Sequence, residues 1–387
     1  MALDPESGLS PAPKRRGLRT GFTTGACAAA ATRAACLGLR GEFPDTVEVP
    51  LPIGAMVKFE VSHLGGSSAV VIKDAGDDPD VTHGARVQAT VELGGSFPAG
   101  GSDWAVSGEG SVVRRLAPGS TLRLSAGRGV GIVTRPGLGI PVGGPAINPV
   151  PRRMIARSVR ESLQPLPSQV TVTVSIEGGE KLAQRTLNGR LGIVRGLSIL
   201  GTTGVVRPYS TAAWRASVVQ GVDVAAAQGC TEIVASTGGR SESYARKLRP
   251  DLPEAAFVEM GEFTGHLLKR ARERGVIKVV LSGMVGKLSK IAQGHFMTHV
   301  AGNQVDMAYL AKIADRCGAS PALRAEIRAG NTARHAQELV IGAALKGFFD
   351  LISAEAVKAC AGLVGNSPVV EVLLFDFEGG LLGRSHG

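Results

Sequence analysis

The stretch KDAGDDPDVTHG, Lys73 to Gly84, sets Asp74, Asp77, Asp78 and Asp80 beside one imidazole, His83. Carboxylates at that density bind a hard cation, accept a proton, or simply make an Asp-rich turn. The spacing excludes an EF-hand, whose alternating ligands and closing Glu are missing. Asp77, Asp78 and His83 are the candidate proton acceptors, and no metal is assigned. A second chemistry-bearing stretch is LRTGFTTGACAAAATRAA, Leu18 to Ala35, a Gly/Thr turn running into an alanine-rich helix. The first turn of a helix has unpaired N–H groups and a partial positive charge, so it receives anions. Arg19, Thr20, Thr23 and Thr24 therefore read as contacts to an acidic ligand, the plainer alternative being an N-cap ahead of a packed helix. The turn is not a Walker loop, since no Gly-Lys-Ser/Thr follows, and it lacks GxGxxG spacing.

Four further glycine-bearing crests follow short apolar runs: Gly201-Thr202-Thr203-Gly204, Ser236-Thr237-Gly238-Gly239-Arg240, Met260-Gly261-Glu262 and Ser282-Gly283-Met284-Val285-Gly286-Lys287. In open parallel sheets ligands sit beyond the carboxyl ends of the strands, so these crests outline a cleft. Gly283–Lys287 is too short for a phosphate loop, and Leu288 follows the lysine. The long Gly/Pro loop from Gly127 to Ile155 reads as a wall or lid, with Arg152 and Arg153 to grip acids. His295 and His299 stand four apart but have no acidic partner nearby, which favours structure or substrate contact over metal.

Positioning these groups requires two kinds of architecture. Alternating β-branched runs at 46–51, 57–62, 69–73, 87–93, 104–106, 121–125 and 170–176, separated by Gly, Pro and Asp turns, predict a largely antiparallel sheet. One helix is expected before the first run and another from about Asn148 to Leu163, with Pro149 and Pro151 in its first turn. From about Leu191, apolar strands alternate with helices: 191–200, 232–236, 256–260 and 277–282 as strands, with helices between them, which predicts a parallel sheet. The region from Asp306 to Leu363 reads as helical and 369–375 as a last strand. The expected organisation is a flexible arm over 1–17, a mostly antiparallel α+β sandwich domain over 18–190 and a Rossmann-like α/β domain over 191–387.

Composition narrows the partner. The 387 residues carry 53 glycines, 4% aromatics and a formal charge of +10. So few aromatics, and no long basic run, argue against nucleic acid. Scattered guanidinium groups beside glycine turns, Arg135, Arg152 and Arg153 among them, suit a small molecule with several carboxylates. The cysteines are five, with no CxxC pair, and read as buried small side chains in a reducing, cytoplasmic setting. No apolar run approaches the length of a membrane span, so no membrane partner is expected; a homo-oligomer is left open.

Taken together, Arg19–Cys27, Lys73–Gly84, Gly129–Pro151, Leu187–Pro208 and Gly286–Gly294 resemble one family, CbiD, the cobalt-precorrin-5B C-1 methyltransferases of cobalamin biosynthesis. Two positions depart from its pattern: Gly189, where Pro is usual, and Arg195, where Gly is usual. The resemblance implies methyl transfer from S-adenosylmethionine to ring carbon C-1 of an acid-rich, cobalt-bearing corrinoid precursor. It also implies an α+β domain joined to a Rossmann-like one. On that footing Gly201, Thr202, Thr203, Gly204, Thr237, Gly238, Gly239, Gly261 and Gly283 are the expected cofactor contacts. Arg19, Thr20, Thr23, Thr24, Arg135, Arg152, Arg153 and Lys287 are the expected substrate contacts. A corrinoid carrier or sensor, and a nucleotide-dependent phosphotransferase, are the rival readings.

Overall fold

The computed structural model of the chain describes residues 17–298 and 304–387. His299, one of the two histidines noted above, and nearly all of the expected N-terminal arm lie outside them. The alternating runs near 69–73, 87–93, 104–106, 121–125 and 170–176 fall in a seven-stranded sheet, whereas those at 46–51 and 57–62 form a separate antiparallel pair, Thr46–Pro50 with Met56–Glu60. The spatial order of the seven-stranded sheet is Ser62–His63, Ser68–Ile72, Arg86–Leu93, Gln169–Ile176, Ser120–Ala126, Ser111–Ala117 and Ala105–Gly108. Neighbours are antiparallel except for Gln169–Ile176 beside Ser120–Ala126. The two-residue period puts Val170, Val172, Val174 and Ile176 on one buried face with Val87, Ala89, Val91, Leu122 and Leu124. Helices α1 (Thr24–Gly38) and α2 (Pro149–Ser162) cover that face, and α3 (Gly179–Ala183) is a single short turn. The alanines of α1 let the helices approach closely, and the Ser158 hydroxyl of α2 donates to Ala29 O at 2.9 Å. Ser111–Ala117 was not anticipated as a strand: Arg114 and Arg115 interrupt its alternation, and its register shifts between Arg115 and Ala117.

The second sheet has five strands in the order Phe257–Glu259, Glu232–Ser236, Lys278–Met284, Val369–Phe375 and Leu381–His386. The first four are parallel, as the alternating pattern predicts, and Leu381–His386 adds an antiparallel edge. Helices α4 (Thr211–Ala227), α5 (Gly239–Leu248), α6 (Thr264–Glu273) and α7 (Val285–Ala292) alternate with these strands. The C-terminal helices are α8 (Met307–Arg316), α9 (Pro321–Ala329), α10 (Ala333–Gly342) and α11 (Phe348–Val364). Both faces are covered. Val234, Phe257, Val280 and Leu373 pack with Ala245 of α5. Ile233, Ala235, Val279, Leu281 and Val372 face the opposite core, which holds residues of α4, α6, α7 and α11.

Leu191–Leu200 is not the first strand of this parallel sheet. Ile193–Val194 pairs with Ile132–Val133, Gly196–Leu197 with Gly129–Val130, and Val205–Val206 with Gly21–Phe22. Glycines make these short ladders possible: a Cβ on Gly196 would lie 2.3 Å from Gly129 O. The segment is therefore bound to the first sheet's loops, and α4 begins directly after it.

Candidate functional site

The start of α1 is closed from within the protein. Thr23 caps the helix, its hydroxyl accepting from Ala26 N–H at 3.2 Å. Gly25 N–H donates to Leu200 O at 3.0 Å, and Thr23 N–H to Gly204 O at 3.0 Å. The Thr24 hydroxyl accepts from Leu200 N–H at 2.9 Å. A Cβ on Gly201 would meet Thr23 at 2.4 Å. The two Thr-Thr-Gly turns thus pack as one unit, and Thr23 and Thr24 are buried. This corrects two expectations. At the helix start the Thr23 and Thr24 hydroxyls accept from Ala26 and Leu200 N–H. The Thr23 and Gly25 amides donate to Gly204 and Leu200 carbonyls, so these groups are engaged within the protein. Gly201, Thr202, Thr203 and Gly204 lie here and not at the carboxyl ends of the parallel sheet.

The other flank of the same turn joins the Asp-rich loop. Thr20 bridges Gly76, and Phe22 N–H donates to Asp74 O at 2.7 Å. A Cβ on Gly76 would sit 2.2 Å from Arg19 O, so only glycine allows this contact. The four carboxylates then separate by role. Asp74 takes both Arg19 guanidinium nitrogens, and those bonds hold its carboxyl below the usual carboxylate range. Burial would raise the Asp80 carboxyl, but the Lys73 ammonium at 2.7 Å and the Thr82 hydroxyl at 2.6 Å hold it lower. Asp77 Oδ2 accepts from Arg19 N–H at 2.6 Å, and Asp78 Oδ1 from Tyr209 N–H at 2.8 Å. The second oxygens of Asp77 and Asp78 have no partner among the described residues. His83 Nδ1 accepts from Ala75 N–H at 3.1 Å. Nδ1 of His83 is therefore engaged within the loop, and Nε2 is the ring nitrogen left over. Among the described residues no group of three or more His, Cys, Asp or Glu is arranged to hold a metal ion.

A second locus forms at the carboxyl ends of the parallel strands. Thr237, Gly238, Gly239, Gly261, Gly283 and Lys287 converge there. Lys287 Nζ donates to Thr237 O at 2.6 Å and lies 3.4 Å from Gly261 O, and burial pushes its pKa down. This lysine ties two crests together and is not presented to a substrate. Gly283 needs its missing side chain, since a Cβ would lie 3.0 Å from Thr237. Gly261 (φ +57°) accommodates the Trp214 indole, which would come within 2.4 Å of a Cβ. Gly238 and Gly239 have no atom within 4 Å of a built Cβ, and no side chain caps α5 at Gly238. Glu259, the register partner of Ser236, ends the neighbouring strand. The sequence reading missed it, although an acid about twenty residues beyond a glycine turn is a recognisable nucleotide-site spacing.

Two connections tie the loci together. Tyr209, fixed by Asp78, immediately precedes α4, whose Trp214 lies on Gly261. Arg190 reaches Glu242 in the first turn of α5. The remaining expected cations divide. Arg135 pairs with Glu254 at 3.1 Å and donates to Arg190 O. Arg152 is buried, donates to Ile147 O and Pro145 O at 2.7 and 3.3 Å, and desolvation pushes its pKa down to about 10. It braces the Gly/Pro loop instead of gripping a ligand. Arg153, Arg19 and Thr20 remain at the surface.

Comparison with known proteins agrees along nearly the whole chain. The CbiD family model matches residues 12–208, and the CbiD C-terminal domain model matches 297–386. A Thermus thermophilus protein named cobalt-precorrin-5B C(1)-methyltransferase is 48% identical, covering 96% of this chain and 95% of that one. Proteins of the same name from Salinispora tropica and Geobacillus kaustophilus are 48% and 44% identical, covering 94% and 96% of this chain and 91% and 95% of their own. A solved structure of a cobalamin biosynthesis protein (cbiD) from Archaeoglobus fulgidus is 28% identical with a TM-score of 0.38, covering 69% of this chain and 77% of that one. With its motifs in place and relatives matching from end to end, the chain belongs to the CbiD family.

Proposed function

We propose that this chain methylates ring carbon C-1 of cobalt-precorrin-5B, giving cobalt-precorrin-6A in cobalamin biosynthesis, with S-adenosylmethionine as the donor. The observation that carries the reading is the 48% identity, over 96% of the chain, to a protein named for that reaction. The second unit is read as Rossmann-like. Its parallel strands run second, first, third, fourth in chain order, and a doubly wound sheet of that order binds ligands where the order reverses, between first and third. Thr237–Gly239 and Gly283 flank that point.

S-adenosylmethionine supplies a sulfonium methyl for in-line displacement by an electron-rich carbon. The residues present suit it. Gly238 and Gly239 leave the start of α5 open to close backbone approach, and Glu259 is an acceptor at the end of the adjacent strand. Thr237, Gly261 and Gly283 shape the floor, which Lys287 holds by bonding two of its carbonyls. The ring carbon is itself the nucleophile, so the protein contributes alignment and proton handling. Asp78 is the proton acceptor of this reading: its Oδ1 is fixed by Tyr209 N–H and its Oδ2 is left to take the proton the methylated ring sheds. Asp77 stands beside it with one oxygen engaged. Arg19, Thr20 and Arg153 supply polar contacts at the rim.

The direct test is incubation with cobalt-precorrin-5B and methyl-labelled S-adenosylmethionine. Label at C-1 of the product is the expected result. Label at another ring carbon, or none, overturns the reading.

A further inference from the structure

The lead-in and first turns of α4 are the most exposed part of an otherwise packed helix: every residue from Thr211 to Ala216 is exposed, whereas Val218, Val222 and Ala225 are buried. Within it stands Trp214, 44% exposed yet held in place. Its indole rests on the bare backbone of Gly261 and meets Phe263 edge-on, with centroids 5.5 Å apart. An aromatic so fixed has already lost its rotamer freedom, and what touches its open side gains contact at little entropic cost. The chain has only two Trp and three Tyr, and Tyr209 and Trp214 both fall in this short segment. Arg207 and Arg215 are exposed there too, and neither makes an ion pair with any described residue. That contrasts with Arg19, Arg135 and Arg190, which bond to acids of the protein itself. The segment also spans the two loci, since Tyr209 is bonded to Asp78 and Trp214 covers Gly261.

We propose that residues 207–215 receive the substrate macrocycle, with the Trp214 indole against the flat ring and Arg207 and Arg215 against its side-chain carboxylates. The inference rests on the methyltransferase reading above and moves ring recognition away from the Thr20–Gly25 turn. A rigid aromatic beside uncompensated guanidinium groups matches a ligand that is flat at its centre and anionic at its edge.

The test uses the full chain and isothermal titration with three probes: dicyanocobyrinic acid, whose side-chain carboxylates are free, its fully methyl-esterified form, and S-adenosylhomocysteine. Trp214→Ala is expected to weaken binding of the acid corrin about tenfold, with Trp214→Phe restoring most of it. Arg207→Gln with Arg215→Gln weakens the acid corrin and leaves the ester unchanged. S-adenosylhomocysteine affinity stays within about twofold of wild type in the double arginine variant, which leaves the cofactor crest untouched. In Trp214→Ala, whose indole packs on Gly261, it falls less than corrin affinity does. Unchanged corrin affinity in folded Trp214→Ala overturns the proposal, as does a loss confined to S-adenosylhomocysteine, or wild-type protein that binds no corrin. A change in oligomeric state with corrin affinity intact also overturns it, by making the patch a contact between copies. Wild-type protein that binds the corrin yet transfers no methyl defeats the reaction reading alone.

Discussion

The Arg190 guanidinium holds Glu242 with both terminal nitrogens, Nη1 to Oε2 at 2.8 Å and Nη2 to Oε1 at 3.0 Å. Arg190 lies in the glycine-broken connection that pairs with the first sheet's loops, and Glu242 lies in the first turn of α5, beside Gly238 and Gly239. The Glu242 carboxylate is 3% exposed and also accepts from Arg246. One fork-to-fork pair therefore ties the start of α5 to the connection that pairs with Gly129–Val130 and Ile132–Val133.

Arg190→Ala leaves Glu242 buried with only Arg246 to balance it. Because Arg190 is itself part-exposed, the cost is about 1–2 kcal/mol, below that of breaking a fully buried pair. Urea denaturation checks it. Arg190→Lys recovers only part of the loss, since an ammonium cannot reproduce the planar fork.

Gly239→Leu adds a side chain where nothing lies within 4 Å. The variant keeps its melting temperature, and S-adenosylhomocysteine affinity falls at least about tenfold if α5 begins at the cofactor. Gly204→Val behaves otherwise. Its φ is +83° and a Cβ would approach Leu51 at 2.8 Å, so it destabilises the fold by roughly 1–3 kcal/mol whatever binds elsewhere. Differential scanning fluorimetry beside calorimetry separates the two.

Asp78→Asn keeps an oxygen for Tyr209 N–H but cannot take a proton. Turnover falls about 10²- to 10⁴-fold with corrin and cofactor affinities preserved. His83→Ala costs about threefold or less, because its Nδ1 already serves Ala75 N–H. Equal loss in both variants contradicts the assignment of Asp78 alone.

Acid sensitivity follows from Asp80, whose carboxyl is held low in the folded state by Lys73 and Thr82 against the opposing effect of burial. Its contribution is complete above the unfolded carboxylate value of about 4 and is lost as pH falls through the lower folded value. Asp80→Asn flattens that acid limb. At neutral pH it also strands a lysine that is 1% exposed, at a cost of about 3–5 kcal/mol. Urea midpoints from pH 7 to pH 3 measure both effects.

Arg195, which stands where the family usually has Gly, has φ +67°. Arg195→Gly relieves a left-handed residue worth about 1–2 kcal/mol, offset by loss of the exposed Glu109 pair and by glycine's larger unfolded entropy. A net gain of about 0.5–1 kcal/mol in urea unfolding is expected.

By itself the sequence determined the elements whose residues carry a local period. The alternation at 86–93 and 169–176, the prolines opening α2, and the apolar runs ahead of Thr237 and Gly283 reported sheet, helix and crest without help from distant residues. The Asp-rich loop and the family likewise stood in the residues. Tertiary structure alone decided which glycine meets which backbone. Gly196 on Gly129, Gly76 on Arg19 and Gly201 on Thr23 join segments far apart in the chain. Those contacts drew Leu191–Leu200 out of the parallel sheet and closed the α1 start. They also buried Thr23 and Thr24, while loop packing buried Arg152 and left Arg207, Trp214 and Arg215 exposed. A glycine's spacing shows that close approach is allowed, but its partner is chosen by long-range packing, which leaves no periodic trace along the chain.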